Sequence, residues 1–178
     1  MNIWHDIEEK RISADDFMAV IEVPKGSKSK YELDKSTGLI KLDRVLFSST
    51  QYPLNYGFIP RTYAEDNDPL DVLIVCTEVL VPLTLVQCYP IGVISMLDNG
   101  KRDDKIIAVP FADPIYNDYK DITQLPKHLA LEIKHFFEVY KQLEDKETVV
   151  DETQSALQAL KIVQKAIDRY KETFVKKK

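Results

Sequence analysis

The sequence is poor in cysteine. Cys76 and Cys88 are the only two among 178 residues, which excludes a disulfide framework and points to a reducing, cytoplasmic compartment. No long hydrophobic run is uninterrupted. The most apolar stretch, Val79 to Leu97, is broken by Pro82, Thr84, Gln87 and Pro90. That excludes a membrane helix, and the stretch reads as two strands around a bend. The first ten residues carry Asp6, Glu8 and Glu9 and no apolar core, unlike a signal peptide. Basic charge is in deficit: Lys plus Arg is 24, Asp plus Glu is 29, and the net charge is −5. That balance argues against a module gripping nucleic-acid phosphates, and no basic aromatic groove stands out. No G-x-G-x-x-G, Walker loop, G-x-S-x-G or H-E-x-x-H occurs. Repeats and low-complexity linkers are missing too, so one domain over residues 1–178 is expected.

What is present is strands first and helices last. Phe17 to Val23 is almost continuously apolar and ends at Pro24. Lys30 to Asp34 alternates, a turn follows through Gly38, and Leu39 to Phe47 completes a hairpin. Val72 to Cys76 is uniformly apolar, the pattern of a strand buried on both faces. Leu85 to Leu97 and Ile106 to Val109 finish the strand-rich part. The character changes near Pro114. Pro126 suits the first position of a helix carrying Leu129, Ile133, Phe136, Phe137, Tyr140 and Leu143. A last helix places Leu157, Leu160, Val163, Ile167, Tyr170 and Phe174 on one stripe. Its Lys176-Lys177-Lys178 end reads as a solvated tail. The order implies an α+β fold, a small curved sheet or barrel covered by helices, with the two main helices in the C-terminal part.

The chemistry concentrates in acid. Asp66, Asp68 and Asp71 immediately precede the buried run at Val72, and Pro69 holds Asp68 extended. Asp66 and Asp68, two apart, point the same way on an extended backbone. Clustered carboxylates repel unless a cation sits among them, and hard divalent ions such as Mg²⁺ take oxygen ligands. A second acidic loop holds Asp98, Asp103 and Asp104, interleaved with Lys101, Arg102 and Lys105. If the loops face each other they make a metal basin rimmed by cations. Acidic loops are ordinarily just solvated turns. Two misplaced charges sharpen the case: Glu22 and Arg44 each share a strand face with apolar residues. The plain alternatives are that both sit near water, or that they pair with each other. Tyr52, Tyr56 and Tyr63 cluster nearby in sequence.

The heptapeptide Asp66-Asn67-Asp68-Pro69-Leu70-Asp71-Val72 resembles the signature of soluble family I inorganic pyrophosphatases, D-x-D-P-x-D before an apolar residue. Ile21-Glu22-Val23-Pro24, Lys30 to Asp34, Asp43-Arg44, Tyr52 to Gly57, Asp98, Asp103, Lys105 and His135 to Lys141 match in order. The resemblance implies a five-stranded OB-like barrel flanked by helices, and Mg²⁺-dependent hydrolysis of pyrophosphate to two phosphates. It assigns Asp66, Asp71, Asp98 and Asp103 to metal, with Glu22 acting through water. Asp68 becomes the general base, and Tyr56 and Lys30 contact the electrophilic phosphoryl group. Arg44, Tyr140 and Lys141 hold the leaving phosphate. Glu32, Tyr52 and Lys105 support the others. It further implies a homo-oligomer, with a hexamer favoured by the compact length. A site with no Ser, Cys or His nucleophile agrees with phosphoryl transfer by positioning and electrostatics. An inactive scaffold of the same fold, or a hydrolase of another phosphoanhydride, are the competing readings. Two features depart from the family pattern. Val149 to Thr153 stands where many members carry G-W, and Asn67 stands where Gly is frequent.

Overall fold

The computed structural model describes residues 2–175; the Lys176-Lys177-Lys178 tail lies outside the described residues. Seven strands come first: β1 Phe17–Val23, β2 Ser29–Leu33, β3 Ile40–Val45, β4 Asn55–Ile59, β5 Leu70–Ile74, β6 Leu85–Asp98 and β7 Lys101–Pro110. A four-residue helix, α1 Ile3–Asp6, precedes them. Helix α2 Lys127–Val139, short strands β8 Thr148–Val150 and β9 Gln154–Ser155, and helix α3 Ala156–Tyr170 follow.

Five strands close a ring in the order β1-β4-β5-β7-β6, with β6 pairing back to β1. Every contact around it is antiparallel except β5 with β7. Apart from Glu22 in β1 and Asp71 in β5, the apolar sequences of these two strands follow from burial on both faces. Alternate residues of β5 serve two cores. Leu73 joins Ile133, Phe136 and Phe137 of α2, while Val72 and Ile74 join Ala159, Val163 and Ala166 of α3. Each such fully buried large side chain is worth roughly 1.5–3 kcal/mol. The β2–β3 hairpin forms a separate two-stranded sheet beside the ring.

Several expectations change. The Val79–Leu97 stretch is not two strands around a bend. Residues 79–84 are loop, and Leu85–Asp98 is one fourteen-residue strand. The interruption at Pro90 survives as a register shift against β7 between Pro90 and Gly92, because proline cannot donate to the ladder. The Asp98–Asp104 segment is not a loop but a hairpin, turned at Asn99-Gly100 with both φ positive. Pro126 caps α2 rather than opening it, and Leu143 lies beyond that helix, exposed. Leu157 is exposed too. It lies about 200° around α3 from Ala159, whose face is the buried one. Thr148–Val150 pairs with Met96–Asp98, and Gln154–Ser155 with Gly92–Val93, so the segment without G-W still docks on the ring.

Candidate active site

The acidic signature lies between β4 and β5. Asn67 has φ +72°, in the left-handed region, which explains why glycine is at home there. The Asp68 amide donates to Asp66 Oδ1 at 3.1 Å, and the Ala64 amide to the Asp68 carbonyl at 2.8 Å. The turn so made aims Asp66 and Asp68 into a cleft of about 250 Å³. Parallel register sets Asp71 of β5 opposite Lys105 of β7. Strand alternation then sorts the second acidic segment. Asp103 and Lys105 face the cleft, whereas Asp104 faces away and pairs with Arg102 and Ser95.

Lys105 is the hub. Its ammonium reaches Asp71 at 2.8 Å and both Asp103 oxygens at 3.0 Å. Tyr56 donates to Asp71 at 2.5 Å. Burial alone would lower the Lys105 pKa, but Asp103 and Asp71 overturn that and raise it well above its ordinary value. Burial pushes Asp103 up to about 6 against the pull of Lys105. Burial also raises Asp66, and it raises the phenols of Tyr52, Tyr56 and Tyr140, which therefore stay protonated donors.

Glu22 and Arg44 do not pair with each other. Glu22, 9% exposed, accepts the Leu33 amide at 2.7 Å. Burial first, then Asp71 and Glu32, push its pKa up to about 8. Arg44 lies off the lining of the cleft, between Asp43 at 2.6 Å and Glu144 at 2.8 Å. Its Nη2 is buried without a hydrogen-bond partner. Lys30 pairs with Glu32 at 2.5 Å, and Lys141 pairs with Asp98, whose Oδ1 is buried and unpartnered. Tyr52, Tyr56 and Tyr140 line the cleft. Tyr63 instead donates to Asn67 at 2.9 Å and packs against Trp4 and Phe174.

Seven carboxylates line the cleft (Glu22, Glu32, Asp66, Asp68, Asp71, Asp98 and Asp103) against the ammonium groups of Lys30, Lys35, Lys105 and Lys141. Among the described residues no three carboxylates already close on one point as a metal cage would. The excess negative charge, the raised Asp103 and the orphaned Asp98 oxygen nevertheless fit cations. Oxygen donors, with neither His nor Cys on the lining, are the donor set that hard divalent cations take.

A family model for inorganic pyrophosphatase matches residues 19–171. The chain belongs to the inorganic pyrophosphatase family. It is 51% identical over 175 residues to soluble inorganic pyrophosphatase 2 of Chlamydomonas reinhardtii, covering 98% of this chain and 91% of that protein. It is 52% identical over 167 residues to the soluble inorganic pyrophosphatase of Zea mays, covering 94% and 78%. The inorganic pyrophosphatase structure from Thermus thermophilus superposes with TM-score 0.90 at 40% identity, covering 96% of this chain and 99% of that one. That from Helicobacter pylori gives 0.89 at 40%, covering 93% and 99%. Within this member of the family, Trp4 and Lys35 also line the cleft, though neither stood out in the sequence. Trp4 sits in a helix too short to show periodicity. Lys35 lies in a stretch whose only sequence signal was that of a turn.

Proposed function

We propose that the chain is an inorganic diphosphatase that hydrolyses pyrophosphate to two phosphates with Mg²⁺ and no covalent intermediate. The observation that carries this reading is the single cleft in which the Asp66–Asp71 signature meets Asp98, Asp103 and four lysines. Asp66, Asp71, Asp98 and Asp103 would hold Mg²⁺, with Glu22 acting through water, and the metal would supply an acidified water and neutralise phosphoryl oxygens. Asp68 accepts a proton from the attacking water. Lys30 and Tyr56 donate to the electrophilic phosphoryl group, Tyr56 by turning its single O–H from Asp71, and burial keeps that proton in place. Arg44, Tyr140 and Lys141 stabilise the leaving phosphate. Arg44 lies off the cleft lining, so it takes this role by turning from Asp43 and Glu144 to bring its unpartnered Nη2 to a phosphate oxygen. Lys105, Glu32 and Tyr52 hold these groups in place.

The whole chain acts as one domain, and the five-stranded ring is read as an OB-like barrel. The chain is read as a cytoplasmic homo-oligomer, a hexamer above all, by resemblance to the compact members of the family; its two cysteines are free thiols. No helix of the described residues is long and apolar enough to cross a membrane. The test is phosphate release from pyrophosphate with millimolar Mg²⁺, with and without EDTA, beside ATP and tripolyphosphate. Rapid release from pyrophosphate that EDTA abolishes is the expected result. A folded, metal-loaded protein that releases nothing overturns the reading.

A further inference from the structure

We infer that Lys35, seated on the ring of Trp4, is a positioning residue for the carboxylate of Asp68. The inference rests on Asp68 being the general base. Lys35 lies in the β2–β3 turn, whose shape is fixed by Asp34: its Oδ1 accepts the amides of Ser36 at 2.9 Å and Thr37 at 3.1 Å. From that turn the Lys35 ammonium reaches Asp68 Oδ1. The same ammonium stands 5.1 Å from the centre of the Trp4 ring. Among the described residues, Asp68 Oδ2 accepts no hydrogen bond. One carboxylate oxygen is thus held, and the other is left for a water proton.

The support beneath Lys35 is itself anchored to the acidic loop. Trp4 is 7% exposed, and its Nε1 donates to the Thr62 carbonyl at 2.9 Å. Thr62 Oγ1 accepts the Leu70 amide at 2.8 Å, just past Pro69. Trp4, which seats Lys35, and the residue that ends the Asp66–Pro69 turn therefore hang on the same threonine. As an ion pair, two half-exposed side chains contribute little to stability. Their placement at the base is what distinguishes them from an ordinary surface pair. The N-terminal turn is thereby part of the active-site wall rather than an appendage.

The experiment is a double-mutant cycle on steady-state phosphate release at saturating Mg²⁺, with Lys35→Met, Asp68→Asn and the double variant. Lys35→Met is expected to lower kcat about tenfold and to move KM by less than about twofold, the signature of a misdirected base. Lys35→Arg is expected to restore most of the rate. In the Asp68→Asn background, Lys35→Met is expected to cost nothing further. Trp4→Ala lowers kcat in the same direction, and Trp4→Phe, which keeps a ring face, recovers it. An unchanged kcat for Lys35→Met overturns the inference. So does a raised KM at constant kcat, which makes Lys35 a substrate-capturing group. Losses that multiply in the cycle overturn it while leaving Asp68 as the base. A full rate for Asp68→Asn removes the base reading and this inference with it.

Discussion

Replacing Glu22 by Gln should make the metal-free protein more stable at alkaline pH and leave it unchanged in acid. The ordinary glutamate pKa of 4.5 becomes about 8 in the folded chain, chiefly through burial. A raised folded-state value means that the stability contributed by this group is complete below about 4.5 and is lost as pH climbs through about 8. Ionising Glu22 in place then costs the folded state roughly 4–5 kcal/mol relative to the unfolded chain. Gln keeps the acceptor that the Leu33 amide uses at 2.7 Å and cannot ionise. The variant and wild type should therefore unfold together at pH 4 and below. At pH 9 the variant should melt higher by about 10 °C or more, at roughly 2–4 °C per kcal/mol for a chain of this size. The assay is thermal or urea unfolding in EDTA across that range, since a bound divalent ion would hold the carboxylate ionised. Unfolding curves that stay parallel at every pH would refute the burial argument.

Two further substitutions probe the framework. A Cβ on Gly57 would lie 1.8 Å from the Val20 carbonyl oxygen and 2.9 Å from the Ile21 Cα. Gly57→Ala must therefore part β1 from β4, and a loss above about 3 kcal/mol in urea unfolding is expected; a loss under about 1 kcal/mol contradicts that close approach. Lys105→Met leaves Asp71 and Asp103 facing each other with no cation. In EDTA this should cost about 3–5 kcal/mol at pH 8, and less at pH 5, where protonated Asp103 relieves the repulsion. A pH-independent loss would argue that Lys105 matters for packing alone.

The sequence disclosed the chemistry better than the architecture. Asp66, Asp68 and Asp71 were legible because proline and spacing fix their local geometry without help from distant residues. The β4 strand was not, because Asn55–Ile59 is buried throughout and centred on a glycine, which leaves no alternation to detect. Only the family resemblance set Asp103 apart from Asp104; local pattern did not, and pairing with β6 shows them on opposite faces. The opposite error occurred on α3, where Leu157 fitted a stripe loosely and the small residues Ala159 and Ala166, weak hydrophobic signals, occupy the buried face. Trp4 and Lys35 meet only through tertiary contact, so no local pattern could join them.

The long-range pairings of the ring set when the two acidic segments meet. The β6–β7 hairpin is local and closes on a two-residue turn, which is a fast event. Joining β5 to β7 instead brings Asp71 to Lys105 across 34 residues, and closing β1 on β6 spans more still. Such pairings wait on a larger loss of chain entropy. The Asp66–Asp71 segment and the Asp98–Asp103 hairpin thus stay apart until β5 pairs with β7. Returning activity in a refolding chain is therefore expected to follow these long-range closures rather than the first collapse.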